Sequence, residues 1–143
     1  MINNIGKVAE YLVLSELIRR DLEAYPALSF LQEDYDITVI RKDLSICRVQ
    51  VKATDLQNKS TNNSISNLEK KYDVLVLVVF DDSVPHYFLL TRKEVGDNFS
   101  PKKPGTMYVS ESEKGTYKVK GTLKKHINKW QKVAATITAE HNK

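Results

Sequence analysis

Residues 35–52, YDITVIRKDLSICRVQVK, hold the side chains best suited to chemistry. Asp36 stands on one strand-like run, and a second such run ends in Gln50-Val51-Lys52. Residues two apart on a strand share a face, so Gln50 and Lys52 point the same way. If the two runs pair as neighbours, Asp36 joins them. An acid, an amide oxygen and an ammonium on one sheet face can hold a divalent cation beside a phosphate. Each side chain also has a plainer reading. Asp36 can cap a turn or pair with Arg48, and Gln50 and Lys52 can belong to an exposed polar face. Glu33 and Asp34 are either surface charges or a substitute for Gln50 as a ligand.

The elements that must position these residues follow from periodicity. Residues 3–24 read as a helix, because Ile5, Ala9, Leu12, Val13 and Leu17 recur at spacings of three and four. Asn3 or Asn4 can serve as its N-cap, and Pro26 ends it. Three strands follow, at about 27–33, 35–41 and 45–54, the last two joined by the short connection 42–44 in a hairpin. Cys47, one residue off the phase of Gln50 and Lys52, reads as a small core residue. Residues 55–71 are rich in Asn and Ser, a loop with one short helix near 65–71. The apolar run at 72–80 predicts a central strand covered on both sides, and 87–91 another strand. An edge strand is expected at 117–120. Leu123, Ile127, Trp130, Val133 or Ala134, and Ile137 then suggest a helix over 122–140, with Trp130 read as core or interface. The order predicts an α/β fold, a mixed sheet flanked by helices.

At 143 residues the chain reads as one domain, a core at about 3–95 followed by a basic extension at 96–143. Through Val95 there are 12 basic and 14 acidic residues; from Gly96 onward there are 10 and 4. A one-sided cationic surface suits a polyanionic partner, or else serves as a solvated lysine face. No apolar run reaches membrane-spanning length, and the N-terminus lacks the pattern of a signal peptide. The single cysteine fits a reducing cytoplasm. His86, His126 and His141 show no ligand spacing.

With Gly6-Lys7-Val8-Ala9-Glu10, Asp36, Gln50-Val51-Lys52 and the Tyr72-Asp73-led strand in hand, the chain resembles the PD-(D/E)xK nuclease superfamily over roughly residues 5–92. That group is restriction-endonuclease-like, with an αβββαβ core. Tyr35 stands where its motif has proline, and Gln50 where it has a second acid. The Q-V-K version is similar to that of small homing-type endonucleases. The resemblance implies a Mg²⁺-dependent DNA endonuclease, with Mn²⁺ as a substitute and no small-molecule cofactor. It implies a homodimer or larger homo-oligomer in the cytoplasm, or inside a host cell if a mobile element encodes it.

In this reading Asp36 is the main anionic ligand, with Gln50 Oε1 and the Val51 carbonyl as neutral ones. Glu10 supports the metal from the helix, although Glu16 lies in the same stripe. Lys52 orients or helps deprotonate the attacking water. Asn58, Lys59 and Ser60, just after the motif strand, and Lys102, Lys103, Lys124 and Lys125 in the basic third would contact DNA. The alternative is a catalytically inactive protein of the same fold that binds nucleic acid or a protein partner.

Overall fold

The computed structural model describes residues 3–27, 34–58 and 64–135. Ala9, Val13 and Leu17 are buried along one face of α1 (Ile5–Arg19), as the apolar stripe requires. Asn4 takes the N-cap position without a side-chain capping bond. The helix stops at Arg19 rather than near residue 24, because Asp21 adopts a left-handed φ of 61°. Pro26 closes a strand, not the helix. It is the last residue of β1 (Glu23–Pro26), an edge strand on which a missing N–H is tolerated. The first described strand falls at 23–26, and residues 28–33 of the strand expected at 27–33 lie outside the described part.

β2 (Ile37–Ile40) and β3 (Ile46–Asp55) form the expected hairpin, with Ile37 opposite Val49 and Ile40 opposite Ile46. Beyond the two-residue β4 (Ser64–Ile65), β5 (Val74–Asp81) runs parallel to β3 and β6 (Val84–Thr91) antiparallel to β5. The five-stranded mixed sheet has the order β1-β2-β3-β5-β6. Every side chain from Val74 to Phe80 is buried, because both faces of this central strand are covered. Val74, Val76, Val78 and Phe80 pack in the layer of α1, together with Cys47, Val49 and Val51. Leu75, Leu77 and Val79 face a second layer containing Leu68, Tyr72, Met107 and Leu123. Helices thus flank a mixed sheet, the α/β architecture expected.

Two expected helices are replaced by other structure. At 65–71, Ser64 and Ile65 pair instead with β7 (Met107–Tyr108), and Asn67 at φ 58° interrupts any helical path. The segment's apolar residues Ile65, Leu68 and Tyr72 still face inward. The β3–β5 crossover therefore carries no helix among its described residues, and the next one, α2 (Arg92–Asp97), follows β6. A capping box fixes its start: Thr91 Oγ1 accepts from Glu94 N, and the Glu94 carboxylate accepts from Thr91 N.

The C-terminal third is not one helix over 122–140. The hairpin β8 (Ser110–Glu113) and β9 (Thr116–Val119) leads to a 3-10 helix (Gly121–His126) and the short α3 (Gln131–Ala134), and residues 136–143 lie outside the described part. Between these helices the chain runs beside the outer strand: Ile127 bridges Phe88, and Asn128 N donates to Tyr87 O at 2.9 Å. Leu123 thereby enters the second layer, while Trp130 and Val133 enter the first. Trp130 is a core residue as read, its ring packed at a tilt of 57° against Tyr87 with centroids 5.3 Å apart, and the Arg20 guanidinium lies over it at 4.4 Å. Among the described residues, no helix is long and apolar enough to cross a membrane.

Candidate active site

β2 pairs with β3 only as far as Ile37, whereas β3 runs on to Asp55. Asp36 lies in the notch where the two strands part. Its own N–H donates to Val49 O at 2.8 Å, and its carbonyl accepts from Ala27 N at 2.9 Å. Backbone bonds on both sides fix this residue, so its side chain is aimed by the sheet itself. Oδ2 occupies the place of the next ladder acceptor, taking the Val51 N–H at 2.8 Å. The same oxygen accepts from Gln50 Nε2 at 3.1 Å.

Gln50 and Lys52 share a face of β3 and stand opposite Leu75 and Leu77 of β5. Gln50 is buried. Its Nε2 also donates to Val51 O at 3.4 Å, but its Oε1 is buried without a hydrogen-bond partner. Such an orphaned acceptor costs about 1–3 kcal/mol unless something supplies positive charge. Glu10 approaches from α1, where Lys7 Nζ pairs with its carboxylate at 2.8 Å.

The electrostatics record this convergence. Burial pushes the Asp36 carboxyl up from 3.8 to about 6; the neighbouring Glu10 adds to the rise, while the Val51 N–H and Lys52 oppose it. Burial lowers the Lys52 ammonium, and the nearby Lys70 lowers it further, against the pull of Asp36. Lys7 is raised, chiefly by its bond to Glu10 and in small part by Asp36. Among the described residues, no three His, Cys, Asp or Glu side chains come together as a metal cluster. A cation here would depend on two carboxylates supplemented by the Gln50 amide and Val51 carbonyl oxygens. Hard oxygen donors suit Mg²⁺ or Mn²⁺, and the unpartnered Oε1 fits that use.

The structure thus brings Glu10, Asp36, Gln50, Val51 and Lys52 together. Asp36 does not pair with Arg48, whose guanidinium holds Asp73 instead, at 3.1 and 3.2 Å. Glu16 is taken up by Arg19 and Arg20. Glu33 lies outside the described residues, and Asp34 lines a separate hollow with Lys70, Lys71 and Arg92. Asn58 closes a turn onto Asp55, its N–H donating to Asp55 O at 3.0 Å, while Lys59 and Ser60 are outside the described part. Lys102 and Lys103 are exposed in a turn before β7. Lys124 and Lys125 are exposed on the 3-10 helix, and Lys124 lines a hollow with Asp81 and His86 at the far end of β5 and β6. Sequence reasoning missed Lys7 and Lys70. The i, i+3 spacing of Lys7 and Glu10 on a helix was a usable signal, whereas Lys70 reaches Lys52 only through the path of the crossover.

No family model matches the chain, and neither does any curated protein. Among solved structures, a bacterial homing endonuclease, I-Ssp6803I, superposes with a TM-score of 0.59 at 13% sequence identity, over 88% of this chain and 88% of that one. The chain shares its fold with that endonuclease.

Proposed function

We propose that the chain is a metal-dependent DNA endonuclease with a PD-(D/E)xK-type site in which glutamine replaces the second acid. The observation that carries this reading is the convergence at the β2–β3 notch of two carboxylates, an orphaned buried amide oxygen and a half-buried lysine. The shared fold with a homing endonuclease supports it. Asp36 and Glu10, with Gln50 Oε1 and the Val51 carbonyl, would hold Mg²⁺ or Mn²⁺. When bound, such an ion supplies Lewis acidity at phosphorus and lowers the pKa of water.

The remaining work belongs to the chain. Lys52 offers N–H donors to the phosphate oxygens that gain charge in the transition state. Its lowered pKa also brings proton exchange with the attacking water nearer to neutral pH. The backbone bonds at Asp36 keep its carboxylate fixed, so little reorganisation is needed during the reaction. One subunit has one such site, and cutting both strands would take a homodimer or a larger homo-oligomer.

A plasmid-nicking assay tests the proposal. Supercoiled DNA should be nicked with Mg²⁺ or Mn²⁺ and left intact in EDTA, and Asp36→Ala and Lys52→Ala should each abolish nicking. Full activity in Asp36→Ala refutes the site. The use of glutamine where an acid would bind metal better favours a second reading, a DNA-binding protein of this fold without catalysis. Salt-sensitive DNA binding with no nicking under any divalent ion would select it.

A further inference from the structure

Two hollows, each of about 430 Å³, adjoin where β5 begins and β6 ends. The first is lined by Asp34, Glu69, Lys70, Lys71 and Arg92, and the second includes Arg92, Lys93 and Asp73. Arg92 lines both, so the two hollows are neighbours with a shared wall. Gln50 stands opposite Leu75, the second residue of β5, which puts the candidate site at this same end of the sheet. Lys70 is close enough for its charge to act on Lys52, and Arg92 close enough to act on Tyr72.

Across the two hollows six basic residues stand against three acidic ones, Asp34, Glu69 and Asp73, and Asp73 is clamped by Arg48. Lys93 is tied to Asp97 at 3.6 Å. Lys71 and Arg92 are exposed, and Lys70 is half-buried beside them. Of the lysines of the C-terminal third, Lys132 also lines the second hollow, where Glu94 holds it, whereas Lys124 lies beside Asp81 and His86 at the opposite end of β5 and β6.

We propose that Lys70, Lys71 and Arg92 form the phosphate-binding wall along which duplex DNA leaves the Asp36–Lys52 site. The duplex then lies over the start of β5 and α2 and not across Lys124 and Lys125. This rests on the endonuclease reading and adds the face that the DNA occupies. Three cations beside the reacting phosphate neutralise successive phosphates of one strand, and such pairings position the duplex without reading its sequence.

Fluorescence anisotropy with a labelled duplex of roughly 25 base pairs, in EDTA and over about 50–300 mM KCl, tests the wall. Replacing Lys70, Lys71 and Arg92 together by alanine should reduce the slope of log K against log salt by about 2.7, or about 0.9 for each phosphate no longer neutralised. Lys71→Ala and Arg92→Ala alone should each reduce it by about 0.9. The double variant Lys124→Ala/Lys125→Ala should keep the wild-type slope. An unchanged slope in the triple variant, or a lowered slope in the Lys124/Lys125 variant alone, overturns the proposal. If the triple variant keeps its slope while the wild type nicks plasmid with Mg²⁺, only the wall is wrong. If the wild type neither binds the duplex nor nicks plasmid, the endonuclease reading falls with it.

Discussion

Asp36→Asn should make the metal-free protein more stable while removing its nicking activity. In the fold the carboxyl pKa moves from 3.8 to about 6, because burial disfavours the charged form and Glu10 sits beside it. A change of that size corresponds to about 3 kcal/mol between the two protonation forms. Solvent still reaches part of the carboxyl, and screening reduces the penalty to about 1–2 kcal/mol. Between pH 3.8 and about 6, the folded chain holds a proton that the unfolded chain has released. Stability therefore falls as pH rises through that window, and the full penalty is present above it. Asparagine keeps the shape, retains an oxygen for the Val51 N–H and has no charge to bury. In EDTA at about pH 8, the variant should melt about 3–8 °C above wild type. At about pH 4 the difference should fall below roughly 0.5 kcal/mol. Thermal unfolding followed by circular dichroism at the two pH values is sufficient. An equal gain at both values, or a loss at the higher one, refutes the account of two carboxylates crowded in a partly dry notch.

Gln50→Glu adds a third acid to the notch, so calorimetry should show Mn²⁺ binding about tenfold tighter, with lower stability in EDTA; unchanged affinity would mean that the amide is no ligand. Lys132 Nζ donates to Leu89 O at 2.9 Å and Glu94 Oε1 at 2.8 Å, and meets His126 Nδ1 at 2.9 Å. Lys132→Met removes this ammonium from all three, leaving Glu94 Oε1 with the Thr91 N–H alone, and should cost about 2–4 kcal/mol in urea unfolding. Burial, and then Lys132, hold the His126 pKa below its ordinary 6.5. That stability is present above pH 6.5 and is lost as pH falls from there through the lowered pKa, because the unfolded chain takes up the proton first. NMR titration should find the wild-type ring titrating below its ordinary value and the Lys132→Met ring titrating higher than that. Asp73→Ala removes the acceptor for the Arg48 backbone N–H at 2.8 Å as well as for its guanidinium, and should cost about 2 kcal/mol by thermal unfolding.

The candidate site was legible in the sequence where a short-range period decides geometry. Gln50 and Lys52 had to share a face, and the short 42–44 connection had to return β3 alongside β2, bringing Asp36 near. The continuous apolar run announced β5. What could not be read was set by longer paths. Ile65, Leu68 and Tyr72 are spaced as on a helix, yet Ser64–Ile65 pairs with a strand more than forty residues later. Leu123, Ile127, Trp130 and Val133 also show helical spacing. Leu123 serves one layer and Trp130 and Val133 the other, while Ile127 stays exposed, because the chain bends around the outer strand between them. Periodicity reports that a residue is buried, but it does not say against which partner. For the same reason the sequence could not place Lys70 beside Lys52.

That bend around β6 has a consequence for how the protein is made. A chain emerging from the ribosome can pair β2 with β3, and β5 with β6, long before residue 123 appears. Neither hydrophobic layer is closed at that stage: one lacks Leu123 and the other lacks Trp130 and Val133. A single late stretch of about a dozen residues seals both, so the nascent protein presents two incomplete apolar surfaces until Val133 is free of the exit tunnel. Cooperative folding is thereby deferred until that stretch has been made, and until then the chain is exposed to aggregation and to chaperone capture.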